Sequence, residues 1–267
     1  MDQAIVGVCY DQRQRRILDI TFPSWRRYGE RQGLPVVIVE RPCAGGDFYW
    51  NKHRLYQVPE LRSCKRLLFL DNDVFISSNA PPLLQPWDSP LIGATYECTQ
   101  AGWPAEIIEH YYDDYFVDRS ADVADLKIIN TGVLVIPREQ AEFLETVYRR
   151  WKERMKTFPG SRQGQKDLFF RTSDQPHVSY ALQTSGRFKD FGERFNTLWW
   201  HWYRKNITPR QLPFLLRSKA ASLTRDFLPG AWWRALFAKE RAIFAQAREV
   251  SDFLHVAGSK SSLFLES

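Results

Sequence analysis

The chain has 267 residues, enough to bury the core of one large α/β domain or two small ones without disulfide support. Its formal charge is +6, but residues 201–250 hold ten Lys or Arg against three acids, so the remainder is near neutral, unlike the broad basic face of a nucleic-acid binder. Cys9, Cys43, Cys64 and Cys98 show neither zinc spacing nor a disulfide framework, and no run of eighteen apolar residues marks a membrane span. Reduced thiols and a cytoplasmic protein are expected, and MDQAIVGVCYDQRQ reads as neither secretory signal nor anchor.

AIVGVCY (4–10) has the character of a buried strand, and residues 15–33 of a helix ending at Gly33, a favoured C-cap residue. LPVVIVE (34–40) is a second strand, and NKHRLYQVPEL (51–61) is expected to be helical. In KRLLFLDNDVFI (65–76), the unbroken run Leu67, Leu68, Phe69 and Leu70 marks a strand covered on both faces. PLIGATYE (90–97) and IINTGVLVIPRE (128–139) supply further strands, and 141–158 has the spacing of an amphipathic helix. SDQPHVSYAL (173–182) opens a helix with a capping residue and with Asp174 and Gln175 at its start. Strands separated by helices in this order predict an α/β fold with a mainly parallel sheet flanked by helices.

Two carboxylates follow the buried strand directly. Asp71 and Asp73 stand at its C-terminal edge, where open α/β sheets bind ligands, and two acids one residue apart repel unless a cation lies between them. Oxygen ligands suit magnesium or manganese, whereas the plainer alternative is a turn with solvated acids. Asn130 could bond a ligand hydroxyl or simply serve a turn, and Asp174 could act as a helix cap alone. His255 in FLHVAGSK (253–260) could complete a metal site, with Lys260 beyond Gly258 as a phosphate-binding charge. Arg54 lies on the helix preceding the Asp71 strand.

Together these segments resemble nucleotide-sugar glycosyltransferases of the GT-A fold, and most closely the retaining family 8, which includes bacterial lipopolysaccharide galactosyl- and glucosyltransferases and glycogenin. HRLYQVPEL followed by KRLLFLDNDVFI resembles that family's basic residue and Asp-x-Asp strand. INTGVLVI resembles its asparagine, small residue and glycine segment, SDQPHVSYAL its Asp-Gln helix start, and RFNTLWW its Phe-Asn. HVAGSK resembles the closing His-x-x-Gly-x-x-Lys signature, but has one residue fewer between Gly258 and Lys260 and lacks the usual Pro-Trp. The resemblance implies that Asp71, Asp73 and His255 hold Mn2+ or Mg2+ against a UDP-sugar, with Asp71 also meeting the ribose. It implies that Arg54, Gly258 and Lys260 contact the nucleotide, and that Asn130, Asp174 and Gln175 surround the donor sugar. The activity implied is retaining transfer of a hexose, from UDP-glucose or UDP-galactose, to a glycan or lipid-linked acceptor.

LLFLDNDVF also resembles the first motif of haloacid-dehalogenase phosphatases, although two strands precede it here and no later aspartate pair with an intervening lysine follows. An inactive sugar-nucleotide-binding scaffold is the non-enzymatic alternative. Residues 1–198 are expected to form the catalytic core, 199–250 a basic amphipathic segment, and 251–267 a return to the site. On a helical wheel for 232–248, Trp232, Trp233, Leu236, Phe237, Ile243 and Phe244 share one side, interrupted by Glu240, with Arg234, Arg241 and Arg248 at its border. Such a face either packs on the enzyme's own core or docks on an anionic membrane. The concentrated positive charge favours docking on the inner face of the membrane.

Overall fold

The computed structural model describes residues 1–44, 47–97, 112, 126–157, 173–198 and 251–255. The expected segment 199–250 lies outside these residues, as do Gly258 and Lys260. The chain opens with β1 (Gln3–Val8), α1 (Gln12–Gln32) and β2 (Val36–Val39), as the apolar spacing predicts. Asp11 caps α1 by accepting from the Gln14 amide, and Gly33 closes it in the left-handed conformation that glycine adopts without steric cost. Residues Phe48–Gln57 and Pro59–Leu61 are 3₁₀-helices where an ordinary helix was expected. They are followed by β3 (Arg66–Leu70), β4 (Val74–Ile76), β5 (Ile92–Tyr96) and β6 (Ile129–Pro137). Then come α2 (Ala141–Thr157), α3 (Asp174–Thr184), β7 (Phe188–Asp190), β8 (Thr197–Leu198) and β9 (Phe253–His255).

The central sheet has the order β2-β1-β3-β6-β5-β7. The pairings β1/β2, β1/β3 and β5/β7 are parallel, while β6 runs antiparallel to both β3 and β5. The sheet is thus mainly parallel with one reversed central strand. Side chains of β3 alternate between two cores. Leu67 and Phe69 pack with Trp50, Leu55 and Val178 on one face, and Leu68 and Leu70 with Leu18, Trp25 and Tyr28 of α1 on the other. That double covering explains why the strand is continuously apolar.

Two features of this topology assemble the site. Because β6 is reversed, residues 129–132 at its start extend past the end of β3, where Leu70 pairs with Val133, and so run beside Asp71. A second, three-stranded sheet of order β4-β9-β8 then brings the distant C-terminal segment back, pairing Val74 with His255 in antiparallel register. Among the described residues no helix is long and apolar enough to cross a membrane.

Candidate active site

The Asp71–Asp73 turn is pinned at several points. The Asp71 amide donates to the Gly132 carbonyl at 2.7 Å, and the Val74 amide donates back to the Asp71 carbonyl at 3.0 Å. Between them, the Asn72 side chain donates to the Val8 carbonyl at 2.7 Å, and the Asn72 carbonyl accepts from the Thr21 hydroxyl at 2.6 Å. The asparagine of the triplet therefore ties the turn to β1 and α1, leaving the flanking carboxylates for other partners.

Those carboxylates meet His255. Ligand atoms of Asp71, Asp73 and His255 all lie within 4.8 Å of one another, with His255 Nε2 3.2 Å from Asp73 and 3.9 Å from Asp71. Burial pulls the imidazole pKa down, but Asp73 and then Asp71 outweigh it and hold His255 above its usual value. Burial raises the Asp71 carboxyl against the pull of Lys52 and His255, although one-third of its side chain remains exposed, which tempers the shift. Two carboxylates and one imidazole at this spacing fit a hard or borderline divalent cation such as Mg2+ or Mn2+. A Cβ on Gly132 would collide with the His255 ring, so glycine at that position makes room for the imidazole.

A second cluster adjoins the first. The buried Lys52 ammonium lies 3.6 Å from Asp71 and 3.2 Å from Asp174, and donates to the Thr131 carbonyl at 3.1 Å and hydroxyl at 3.0 Å. One oxygen of Asp174, Oδ2, also meets His53 Nε2 at 2.7 Å and the Thr131 hydroxyl at 3.0 Å. Burial works against the charge on both partners of the lysine pair. Their mutual attraction wins, so that Lys52 titrates above and Asp174 below its usual value. His53 is pushed down by burial. A cleft of about 200 Å³ lined by Val8, Ile17, Tyr49, Lys52, Asp71 and Asp73 opens beside these groups.

Asn130 and Gln175 are joined through a residue that sequence reasoning missed. Both side-chain amides donate to Glu97 Oε2, at 3.2 Å and 2.7 Å respectively. A second link is Asn196, the asparagine of RFNTLWW: it donates to Asn130 Oδ1 at 2.7 Å, and its oxygen lies 3.1 Å from His255 Nδ1. The structure thus gathers Asp71, Asp73, Asn130, Asp174, Gln175 and His255 into one connected region. Arg54 is not among them: its guanidinium binds Glu145 and the Cys43 carbonyl and lies over the Tyr148 ring. The helix kinks at Arg54 (φ −117°, ψ 17°), and it is Lys52, two positions earlier, that reaches Asp71 and Asp174.

The chain matches no protein-family description and no curated protein by sequence. Solved structures are nevertheless similar in shape. A glycosyltransferase involved in the glycosylation of the major capsid of PBCV-1 matches with a TM-score of 0.54 at 12% identity, over 100% of this chain and 98% of that one. The fold is one that these solved glycosyltransferases share. The WbbM bifunctional glycosyltransferase matches with a TM-score of 0.51 at 12% identity, over 99% of this chain and 49% of that one, so this chain spans about half its length. Within this fold, the Asp71 turn occupies the C-terminal edge of β3, the region where open α/β sheets bind ligands.

Proposed function

We propose that the protein is a metal-dependent hexosyltransferase that uses UDP-glucose or UDP-galactose and retains the anomeric configuration. The observation that carries this function is the Asp71, Asp73 and His255 cluster beside the buried Lys52–Asp174 pair, on a fold shared with solved glycosyltransferases. Asp71, Asp73 and His255 would hold Mn2+ or Mg2+. Such a cation supplies positive charge opposite the departing diphosphate. Lys52 adds a fixed positive charge next to Asp71, kept protonated by its two acidic neighbours. Asp174, kept ionised by Lys52 and His53, provides negative charge for a sugar that becomes oxocarbenium-like. Glu97, Asn130 and Gln175 offer hydrogen-bonding groups for the sugar hydroxyls.

The acceptor is a glycan or a lipid-linked sugar. Gly258 and Lys260 would contact the donor phosphates, and residues 199–250 would bring the enzyme to the inner face of an anionic membrane. Proton NMR of the first-formed product tests retention: an α-linked product from an α-linked donor supports it, and a β-linked one excludes it.

A thermal-shift panel of sugar nucleotides with and without MnCl2 tests the whole assignment. A ligand that binds only the native state at 100 times its Kd stabilises it by about 2.7 kcal/mol. A larger rise in Tm is expected for a UDP-hexose with Mn2+ than for either alone. No rise with any sugar nucleotide in Mn2+ contradicts the function.

A further inference from the structure

Asn196 connects the two halves of the site, and the atoms facing its partners can be assigned without ambiguity. The Gly132 backbone N–H can only donate, and it lies 2.8 Å from Asn130, so the Asn130 atom facing it is the oxygen. The Asn196 atom 2.7 Å from that same oxygen must then be the amide nitrogen. Its carbonyl oxygen is left facing His255 Nδ1 at 3.1 Å, so Nδ1 must carry the proton. Neutral His255 therefore has its lone pair on Nε2, the nitrogen turned toward Asp73 and Asp71. The other end agrees: the Asn130 nitrogen faces the Glu97 carboxylate, an acceptor.

Asn196 is fully buried at the end of the 3₁₀ turn Glu193–Asn196, directly before β8. Parallel pairing of β8 with β9 sets Leu198 opposite His255, so the small sheet carries the imidazole and the turn leading into it carries the amide that orients it.

We propose that Asn196 is a positioning residue that fixes His255 as the metal-binding Nδ1–H tautomer and at the same time locks the Asn130 amide, coupling the metal subsite to the donor-sugar subsite. The coupling rests on the metal and donor assignment above. It also specifies what Asn130 can do: its oxygen already accepts from Gly132 and Asn196 and one N–H is given to Glu97, which leaves its other N–H for a ligand. Groups that hold a metal-binding histidine in this way typically change metal affinity by about 10- to 100-fold when removed.

The tautomer can be measured without any substitution. In metal-free wild-type protein above the His255 pKa, the imidazole ¹⁵N shifts should show a protonated Nδ1; a protonated Nε2 overturns the proposal. Two variants then separate positioning from general support, using Mn2+ EPR titration without nucleotide and calorimetric UDP-sugar binding in Mn2+. Asn196→Asp keeps an acceptor for His255 Nδ1–H but loses the donor to Asn130. Mn2+ affinity should stay close to wild type while UDP-sugar affinity falls about tenfold or more, equivalent to about 1.4 kcal/mol. Asn196→Ala should lower Mn2+ affinity by about tenfold or more. Unchanged Mn2+ binding in Asn196→Ala, or equal loss of Mn2+ in both variants, overturns the coupling. Failure of the wild type itself to bind Mn2+ would instead remove the metal assignment, while the tautomer measurement would still stand.

Discussion

The His255 ring occupies the space where a Cβ on residue 132 would lie. The glycine of INTGV and a histidine 123 positions later are therefore two halves of one steric requirement. Gly132→Ala should push the imidazole away from Asp73, weakening Mn2+ binding at least tenfold by EPR. Overpacking of this kind should also cost about 1–3 kcal/mol in urea denaturation. Wild-type Mn2+ affinity in this variant would show that the cation does not use His255.

Lys52 and Arg54, two positions apart, should behave differently. Lys52→Met leaves Asp174 buried without its cation and should cost about 3–5 kcal/mol of stability, together with loss of donor binding. Arg54→Gln removes a partly exposed pair with Glu145 and should cost only about 1 kcal/mol, with UDP-sugar binding close to wild type. Denaturation and calorimetry on both variants check the contrast. Loss of donor binding in Arg54→Gln would return that residue to the site.

His177 should make the fold acid-sensitive. It is buried among Trp50 and Trp151, and burial pushes its pKa down to about 3. Below about pH 6.5 the unfolded chain takes up a proton that the native state refuses, so stability present at neutral pH declines as pH falls from 6.5 toward 3. The loss amounts to about 2 kcal/mol at pH 5. Urea denaturation of wild type and His177→Phe at pH 7 and pH 5 measures it. The variant should lose less stability between the two, and equal losses would contradict the assignment.

What could be seen in the sequence was local. Four consecutive apolar residues before Asp71 reported a strand covered on both faces, and Ser173 before Asp174 reported a helix start. The same kind of run in β6 reported burial but not direction, because a strand covered on both faces looks alike whichever way it runs. The phase of Phe48–Gln57 was hidden for a related reason: the backbone kinks at Arg54, which leaves helical φ/ψ there, and nothing in the local sequence marks that break. Glu97 carried no local signal, and Asn196 stood in the sequence only as the asparagine of RFNTLWW, with no role attached. Glu97 becomes informative only because β5 lies beside β6, and Asn196 because β8 lies beside β9, which brings it to a histidine 59 positions away.

The most direct test of the central claim is UDP release from UDP-glucose and UDP-galactose by wild-type protein and Asp73→Asn, in Mn2+ and in EDTA. Release should require Mn2+, stop in EDTA, return when Mn2+ is restored, and fall by about a hundredfold or more in Asp73→Asn. Undiminished release in EDTA, or hydrolysis of simple phosphomonoesters through a phosphorylated Asp71 in place of UDP release, would contradict metal-dependent glycosyl transfer.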